Sequence, residues 1–304
     1  MITRTSYADL PRPLIEELSE AGLDPLSVYE MVVAAFEEDL PDGAADVTSA
    51  ALPPLGHGTG DFAAREDGVV CGLGVATLVF VYALGERAVV SDRLADGTHV
   101  RAGDVVMRVS GPFSDLLTAE RTALNFASHL SGVATATSHW VTALAGTRAR
   151  VLDTRKTLPT YRALQKYAVR CGGGVNHRFS LADRAMVKDN HVVAAGGAVP
   201  AYVAVRDANP GLRVEVEVTD LDELRELLDA GCTEILLDNM DSPTMAEAVR
   251  INAGRATLEA SGGLTLERAR EVAETGVDLI SVGALTHSVK VFDLGLDLSP
   301  QHED

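Results

Sequence analysis

The sequence predicts an α/β protein in which a β-rich first part is followed by an incomplete parallel α/β barrel. Residues 59–111 contain short apolar runs separated by Asp-Gly and Gly-Asp pairs, a pattern typical of strands and turns. Later strand-like runs begin 34, 29, 20, 23 and 21 residues apart, which is the spacing of repeated strand–helix units. An open, doubly wound sheet is the alternative, because spacing alone does not show whether a sheet closes.

The first part combines helical and strand-like segments. Residues 14–40 carry apolar side chains at helical spacing, and the Pro-Asp-Gly sequence at 41–43 ends that pattern. Strands are predicted from the short apolar runs that follow, at residues 69–70, 79–81, 88–90 and 105–107. Residues 116–144 are rich in Ala and Leu and contain no proline, so they predict a helix, and we place the domain boundary near it.

The second part alternates predicted strands with predicted helices. Its strand cores lie at residues 151–152, 185–187, 214–216, 234–237, 257–258 and 278–280. The segments 221–229, 244–252 and 266–274 carry apolar residues on one helical face, and each is followed by a glycine typical of a helix C-terminus. Reacting groups in parallel barrels lie at the carboxyl ends of the strands, so the residues after each strand are the candidates for chemistry.

The charge distribution favours a small anionic ligand. The chain has a formal net charge of -18, which argues against nucleic acid or an anionic membrane surface as a partner. Residues 148–188, which we call the basic segment, nevertheless hold ten of the 26 Lys and Arg residues and two of the 44 acidic residues. A basic segment in an acidic protein is what a highly charged small anion requires. A solvated basic surface is the alternative interpretation.

The cysteine content and the apolar pattern bear on the compartment. The three cysteines are far apart and odd in number, so they form neither a disulfide framework nor a zinc-binding pair. The N-terminus has no apolar signal core, and no apolar run reaches the length of a membrane span. We therefore expect a cytoplasmic protein.

The predicted strand ends differ in their chemistry along the chain. Cations come first, at Arg155, Lys156 and Lys188, and isolated carboxylates follow, at Glu217 and Asp238. The carboxylates either pair with a neighbouring Lys or Arg, or hold ribose hydroxyls and Mg²⁺. The last two strands end in glycines that predict phosphate binding, within 261–263 and at 283. The triple glycine at 172–174 precedes His177 and Arg178, which we interpret as a loop presenting a pair of cations.

These stretches resemble the signature segments of the quinolinate phosphoribosyltransferase (carboxylating nicotinate-nucleotide pyrophosphorylase) family. The matching segments occur in the family's order, at residues 120–126, 130–132, 153–157, 172–178, 188–191, 215–218, 237–239, 261–263 and 282–288. The resemblance covers most of the chain. It implies an N-terminal α/β sandwich domain at 1–125, with an interdomain helix starting near 116, and an α/β-barrel catalytic domain at 126–304. This division leaves open whether the last strand and the C-terminal segment pack back on the N-terminal domain.

The resemblance also implies a reaction and roles for individual residues. The enzyme would transfer phosphoribose from phosphoribosyl pyrophosphate to quinolinate with loss of carbon dioxide, as a homodimer with shared active sites. The residues expected around the two quinolinate carboxylates are Arg121, Arg155, His177, Arg178 and Lys188. Those expected to serve the donor, its pyrophosphate and Mg²⁺ are Lys156, Glu217 and Asp238, and those expected at its 5′-phosphate are Ser261, Gly262, Gly283 and His287. Lys156, Lys188, Glu217 and Asp238 are the expected catalytic residues, and Glu217 and Asp238 the metal ligands. One departure is visible after Pro159, where the family usually has glycine and this chain has Thr160.

Three other functions remain open at this point. The nearest is a relative of the same fold with a different acceptor, such as the one associated with molybdenum uptake. A Schiff-base aldolase would use Lys156 or Lys188 as its amine. A non-catalytic sensor of a phosphorylated ligand would not need Glu217 or Asp238.

Overall fold

The computed structural model describes residues 2–51 and 56–300, which form two compact units. Of the described residues, the first unit comprises 2–51, 56–135, 163–172 and 289–300, and the second comprises Ala136–Arg162 and Gly173–Ser288. The strands are β1 (His57–Ala64), β2 (Gly68–Val69), β3 (Val89–Ser91), β4 (His99–Val100), β5 (Val105–Pro112), β6 (Arg150–Leu152), β7 (Ala185–Val187), β8 (Val214–Val218), β9 (Glu234–Asp238), β10 (Thr257–Ser261), β11 (Leu279–Ser281) and β12 (Leu294–Pro300). The helices are α1 (Arg12–Glu20), α2 (Pro25–Asp39), α3 (Val47–Ala51), α4 (Leu73–Leu84), α5 (Phe113–Ala143), α6 (Arg162–Cys171), α7 (Asp189–Ala195), α8 (Ala198–Ala208), α9 (Leu221–Asp229), α10 (Ser242–Asn252), α11 (Ala269–Glu274) and α12 (Ala284–His287). Across these described ranges, no helix is both long enough and apolar enough to cross a membrane.

The first unit is built on an antiparallel sheet with strand order β12-β1-β5-β3. The central strand β1 pairs with β5 on one side and with β12 on the other, so Phe62 lies between Met107 and Leu296. Phe62 is fully buried and meets the ring of Phe80 from α4 edge to face, with 5.8 Å between the ring centroids. This packing of a helix on an antiparallel sheet agrees with the α/β fold class predicted for the N-terminal part.

The strand predicted at residues 79–81 is wrong, because these residues lie inside α4. The carboxylate of Asp96 accepts hydrogen bonds from the backbone N–H groups of Gly72 and Leu73, at 2.8 and 3.0 Å, and so caps the start of the helix. Nearly every side chain of α4 is buried, so the helix has no polar face. A helix that is apolar all round has no 3.6-residue pattern, and in sequence its β-branched run cannot be distinguished from a buried strand.

The second unit is a parallel sheet with strand order β6-β11-β10-β9-β8-β7. From β7 to β11 the strands follow one another in chain order, and β6, the first along the chain, lies beside β11, the last. A doubly wound sheet would reverse its strand order near the middle, whereas this circular order is that of a barrel. In the described residues β6 and β7 do not pair, so the barrel is not closed. The predicted incomplete parallel barrel is confirmed.

The helices between these strands begin and end at local signals in the sequence. The side chain of Asp220 accepts hydrogen bonds from the N–H groups of Asp222 and Glu223, both at 2.9 Å, and caps α9. Asp241 caps α10 in the same way through the N–H of Thr244. The helical segment predicted at 221–229 coincides with α9.

Alternation along the strands determines which side chains reach the interior of the barrel. Successive side chains of a strand point to opposite faces, so residues two apart share a face. Glu215 therefore lies on the same face of β8 as Glu217, and Glu259 on the same face of β10 as Ser261. Glu217, Glu259 and Ser261 all line one cavity, which identifies that face as the inner one.

Candidate active site

A cavity of about 750 Å³ lies in the second unit at the carboxyl ends of the parallel strands. This volume falls within the range of small-molecule sites. The cavity brings together the predicted site residues of the second unit, which are Arg155, Lys156, His177, Arg178, Lys188, Glu217, Asp238, Ser261, Gly262, Gly283 and His287. Of the ten cations in the basic segment, four line it (Arg155, Lys156, Arg178 and Lys188).

Two of these cations, Arg155 and Arg178, are held close together. Burial, followed by the positive charge of Arg155, lowers the pKa of Arg178. Arg178 is fixed in place because its Nη1 donates to the backbone oxygen of Arg184 at 3.0 Å. The Nε of Arg155 is buried and has no acceptor among the described residues. Two neighbouring guanidinium groups and an unsatisfied donor form a site suited to an anion.

Asp153, at the end of β6, anchors the loop that carries His177 and Arg178. Its Oδ1 accepts the backbone N–H of His177 at 2.9 Å, and its Oδ2 accepts the Asn176 side-chain amide at 2.5 Å. An isolated parallel bridge between Leu152 and Val175 adds backbone contacts. The loop predicted to present His177 and Arg178 is therefore bound to the end of β6 immediately before these two residues.

His177 is a neutral ring in this arrangement, which corrects the expectation of a pair of cations. Its Nδ1 accepts the backbone N–H of Arg178 at 2.7 Å, and a ring nitrogen that accepts a hydrogen bond carries no proton. The proton is therefore on Nε2, which lies 3.0 Å from Glu215 Oε2 and 3.6 Å from Glu259 Oε2. Both nitrogens are thus directed toward protein groups, and only one of the two side chains is a cation.

The two buried carboxylates beside His177 differ in protonation. Burial tends to raise the pKa of Glu215, but the hydrogen bond from His177 and the charge of Arg184 outweigh it and lower that pKa. Burial, together with the negative charge of Glu215, raises the pKa of Glu259 well above its ordinary value. Of the pair, Glu215 therefore holds its negative charge more readily and Glu259 takes up a proton more readily.

Glu217 and Asp238 form the carboxylate side of the cavity. Lys188 Nζ lies 2.9 Å from Glu217 Oε2, so the structure joins two residues that the sequence analysis assigned to different substrates. Asp238 Oδ2 accepts a hydrogen bond from the Asn239 side chain at 2.7 Å. Mg²⁺ commonly binds one or two carboxylates together with substrate phosphates, and these two oxygen donors on one cavity wall fit that requirement.

The glycine-containing ends of the last strands bring backbone close to the cavity. Gly262 has a φ of 98°, and a Cβ at this position would overlap the side chain of Asn239. Only glycine therefore fits there, since other residues rarely adopt this conformation. A Cβ on Gly283 would lie 3.1 Å from His287 Nε2, so glycine also keeps the second turn open.

Two remaining predictions concern residues beside or outside this cavity. Arg121 lies on α5 in the first unit with its side chain exposed, and it is not among the residues that line the cavity. Thr160, which stands where the family usually has glycine, has a φ of 64°. A β-branched residue therefore holds the left-handed conformation that glycine adopts without strain.

Two family models match consecutive parts of this chain. The model of the quinolinate phosphoribosyl transferase N-terminal domain matches residues 46–131, and that of the C-terminal domain matches residues 133–297. The chain belongs to the quinolinate phosphoribosyltransferase family. The predicted resemblance is thereby confirmed, and this family membership covers both the antiparallel sheet of the first unit and the parallel sheet of the second.

Several members of the quinolinate phosphoribosyltransferase family, including solved structures, are similar to this chain over most of its length. The carboxylating nicotinate-nucleotide pyrophosphorylase of Mycobacterium leprae (strain TN) is 49% identical over 286 residues, covering 92% of this chain and 100% of that protein. The probable enzyme of the same name from Bacillus subtilis (strain 168) is 36% identical, covering 91% of this chain and 96% of that protein. The crystal structure of NadC from Streptococcus pyogenes superposes with a TM-score of 0.87 at 37% identity, covering 92% of this chain and 99% of that one.

The buried ion-pair cluster next to the cavity was not predicted from the sequence. Arg184 Nη2 lies 3.2 Å from Glu215 Oε1 and also contacts Glu234, and Glu259 lies on the next strand of the sheet. One signal was available, because charged residues inside apolar strands are uncommon and Glu215 and Glu259 both interrupt apolar runs. What the sequence did not show is that the two carboxylates face each other.

Proposed function

We propose that this chain transfers phosphoribose from phosphoribosyl pyrophosphate to quinolinate, releasing carbon dioxide and pyrophosphate and forming nicotinate mononucleotide. The observation that carries the proposal is the cavity, where four cations, two carboxylates and two glycine turns surround one space. Both substrates are polyanions, and one cavity that combines cations with a carboxylate pair suits them. Family membership over both units supports the same reaction.

The acceptor is assigned to the cation side of the cavity. Arg155 and Arg178 are close enough for the charge of one to lower the pKa of the other, so an acceptor with two carboxylates would neutralise both. Held by these groups, the pyridine nitrogen would be oriented for attack on the anomeric carbon, which converts an encounter of two substrates into a positioned reaction. Lys188 would supply a further positive charge at the edge of the same site.

The donor is assigned to the carboxylate and glycine side. Glu217 and Asp238 would hold Mg²⁺, which when bound neutralises pyrophosphate oxygens as they leave. Their negative charge favours the positive charge that develops at the anomeric carbon. Lys156 would contact the leaving pyrophosphate, and the backbone around Gly262 and Gly283 would receive the 5′-phosphate, beside Ser261 and His287.

The homodimer and the cytoplasmic location belong to the same proposal. Arg121 would complete the acceptor site of a partner subunit, since it lies outside the second unit's cavity and a two-fold dimer presents both copies equivalently. A cytoplasmic enzyme agrees with the three cysteines being free thiols.

The test is incubation with phosphoribosyl pyrophosphate, Mg²⁺ and either quinolinate or nicotinate. We expect nicotinate mononucleotide and carbon dioxide from quinolinate, and little product from nicotinate, because an acceptor without the 2-carboxylate leaves one of the partly buried arginines unpaired. Comparable kcat/KM values for the two acceptors would contradict the assignment. Borohydride trapping on Lys156 or Lys188 with a carbonyl substrate would instead indicate an aldolase.

A further inference from the structure

A cluster of buried ionisable groups lies against the cavity, and the proposed function assigns it no role. It consists of His177 and Glu215, which are hydrogen bonded, together with Glu259 and Arg184. All four residues are less than a tenth exposed. Of the two carboxylates, only Glu259 lines the cavity itself.

Within this cluster Glu259 has no cation of its own. Arg184 lies between Glu215 and Glu234, and Glu234 also contacts Arg213, so those two carboxylates are matched by two guanidinium groups. The oxygens of Glu259 are buried and have no hydrogen-bond partner among the described residues. An ionised carboxylate in such a position is costly, and protonation removes that cost.

His177 cannot supply the missing positive charge. Its Nδ1 is occupied by the N–H of Arg178, which leaves the ring neutral with its proton on Nε2. That proton is directed at Glu215, which is 3.0 Å from Nε2, whereas Glu259 is 3.6 Å away. Glu259 is therefore a neutral carboxylic acid facing the reaction space, in agreement with the raised pKa that burial causes.

The proposed reaction needs one proton that its substrates do not carry. When the carboxylate at C2 of the pyridine ring leaves, it departs as carbon dioxide and its bonding electron pair stays on C2. That carbon must then gain a proton to give the product. A positioned acid on the cavity wall can provide it as general acid catalysis.

We propose that Glu259 is the catalytic acid that protonates C2 of the acceptor ring as carbon dioxide leaves. This rests on the proposed function. The C2–carboxylate bond breaks, the O–H proton of Glu259 moves to C2, and the resulting Glu259 carboxylate regains a proton from water before the next turnover. Glu215 is a positioning residue, because it lies 3.0 Å from His177 Nε2 and accepts that proton, which leaves Glu259, at 3.6 Å, without it.

The same residues also place three possible metal-ligand atoms within 4.8 Å of one another, at His177, Glu215 and Glu259. The charge distribution favours a proton over a metal ion at this point. The Arg184 guanidinium already lies 3.2 Å from Glu215 and, unlike Lys188 beside Glu217, it is almost completely buried, so water does little to screen its repulsion of a divalent cation. Nε2 of His177, the nitrogen that faces the carboxylates, also carries a proton and so cannot ligate in this tautomer.

The test separates the two chemical steps in the Glu259→Gln variant. With enzyme in excess, pyrophosphate release and the release of labelled carbon dioxide from the 2-carboxylate of quinolinate are followed in a single turnover. We expect pyrophosphate release within about threefold of wild type and carbon dioxide release slowed at least about tenfold, because positioned acids contribute on the order of 10²–10⁴. The N-phosphoribosyl quinolinate, still carrying the label, should accumulate.

The matched control is Glu234→Gln, a buried carboxylate that contacts Arg184 of the cluster and does not line the cavity. In this variant the ratio of the rates of carbon dioxide release and pyrophosphate release should equal that of the wild type. If Glu259→Gln releases carbon dioxide as fast as it releases pyrophosphate, the inference is wrong. If the wild type releases no pyrophosphate, the proposed function itself is wrong.

If Glu259→Gln does not fold, the same single-turnover measurement on the wild type in deuterium oxide tests the inference. Slower carbon dioxide release with unchanged pyrophosphate release is expected, and no isotope effect on carbon dioxide release overturns the inference.

Discussion

Replacing Arg155 with methionine should weaken acceptor binding without destabilising the empty protein. Methionine has a similar length and no charge, so it removes the guanidinium while filling much of its volume. In the ligand-free chain Arg155 carries a buried Nε with no acceptor and lies near enough to Arg178 to lower the pKa of that residue. Both features cost folding free energy and are relieved only when an anion binds.

The expected magnitudes have opposite signs for folding and for binding. An unsatisfied buried donor costs about 1–3 kcal/mol, so its removal offsets the loss of packing, and the free energy of unfolding of Arg155→Met should equal or slightly exceed that of wild type. A hydrogen bond to a charged group contributes about 1.5–3 kcal/mol, so the quinolinate dissociation constant should rise roughly 10- to 150-fold.

Arg184→Met is the matched control, since Arg184 is another arginine of the second unit and its guanidinium has defined carboxylate partners. Its guanidinium lies between Glu215 and Glu234, and its removal leaves carboxylates without their cation. Breaking a buried ion pair in this way typically costs about 3–5 kcal/mol. Two arginine-to-methionine changes in one unit should therefore differ clearly in their effect on stability.

Urea unfolding of the ligand-free variants and calorimetric titration with quinolinate measure the two quantities. Arg155→Met should unfold at or above the wild-type urea midpoint, and Arg184→Met well below it. If Arg155→Met lost as much stability as Arg184→Met, Arg155 would have a structural partner and the reasoning would fail. Unchanged quinolinate affinity in a folded Arg155→Met would remove Arg155 from the acceptor site.

Three further predictions address the division of the site, the loop after Lys156 and the assembly. Lys188→Ala should weaken the binding of quinolinate, and Asp238→Ala should weaken the binding of phosphoribosyl pyrophosphate with Mg²⁺. Titration of each variant with each ligand measures both effects, and a loss of quinolinate binding alone in Asp238→Ala would contradict this division. Thr160→Gly should be more stable than Thr160→Ala by about 0.5–1 kcal/mol in urea unfolding, because the relief of about 1–2 kcal/mol of left-handed backbone strain exceeds the cost of the greater unfolded-state entropy of glycine. If the alanine variant were as stable as the glycine variant or more so, the φ at this position would carry no strain. When inactive Arg121→Ala and Glu217→Ala chains are mixed, about half of the dimers contain one chain of each kind and have one intact site of two, so about a quarter of wild-type activity should return. If no activity returns although chain exchange is demonstrated, Arg121 belongs to the site of its own subunit.

The sequence alone determined the elements whose signals are local. Helix α9 could be placed because an Asp at its start accepts backbone N–H groups and a glycine with a φ of 81° follows its end. The parallel strands were found because each apolar run is followed by polar or glycine residues within a regular spacing. Since carboxyl ends of parallel strands meet at one end of a barrel, that spacing also predicted which residues of the second unit share a cavity.

Other features depend on contacts between residues far apart in the chain, and only the tertiary structure decided them. The run at 79–81 is helical because its surroundings bury it on all sides, and burial of that kind leaves no periodicity in the sequence. Glu215 and Glu259 occupy strands β8 and β10, and their separation along the chain gives no measure of the distance between their carboxylates. Their different protonation follows from where Arg184 and His177 direct their donors. Sequence patterns report the face on which a charged residue lies, but its pKa depends on the groups that the folded chain places around it.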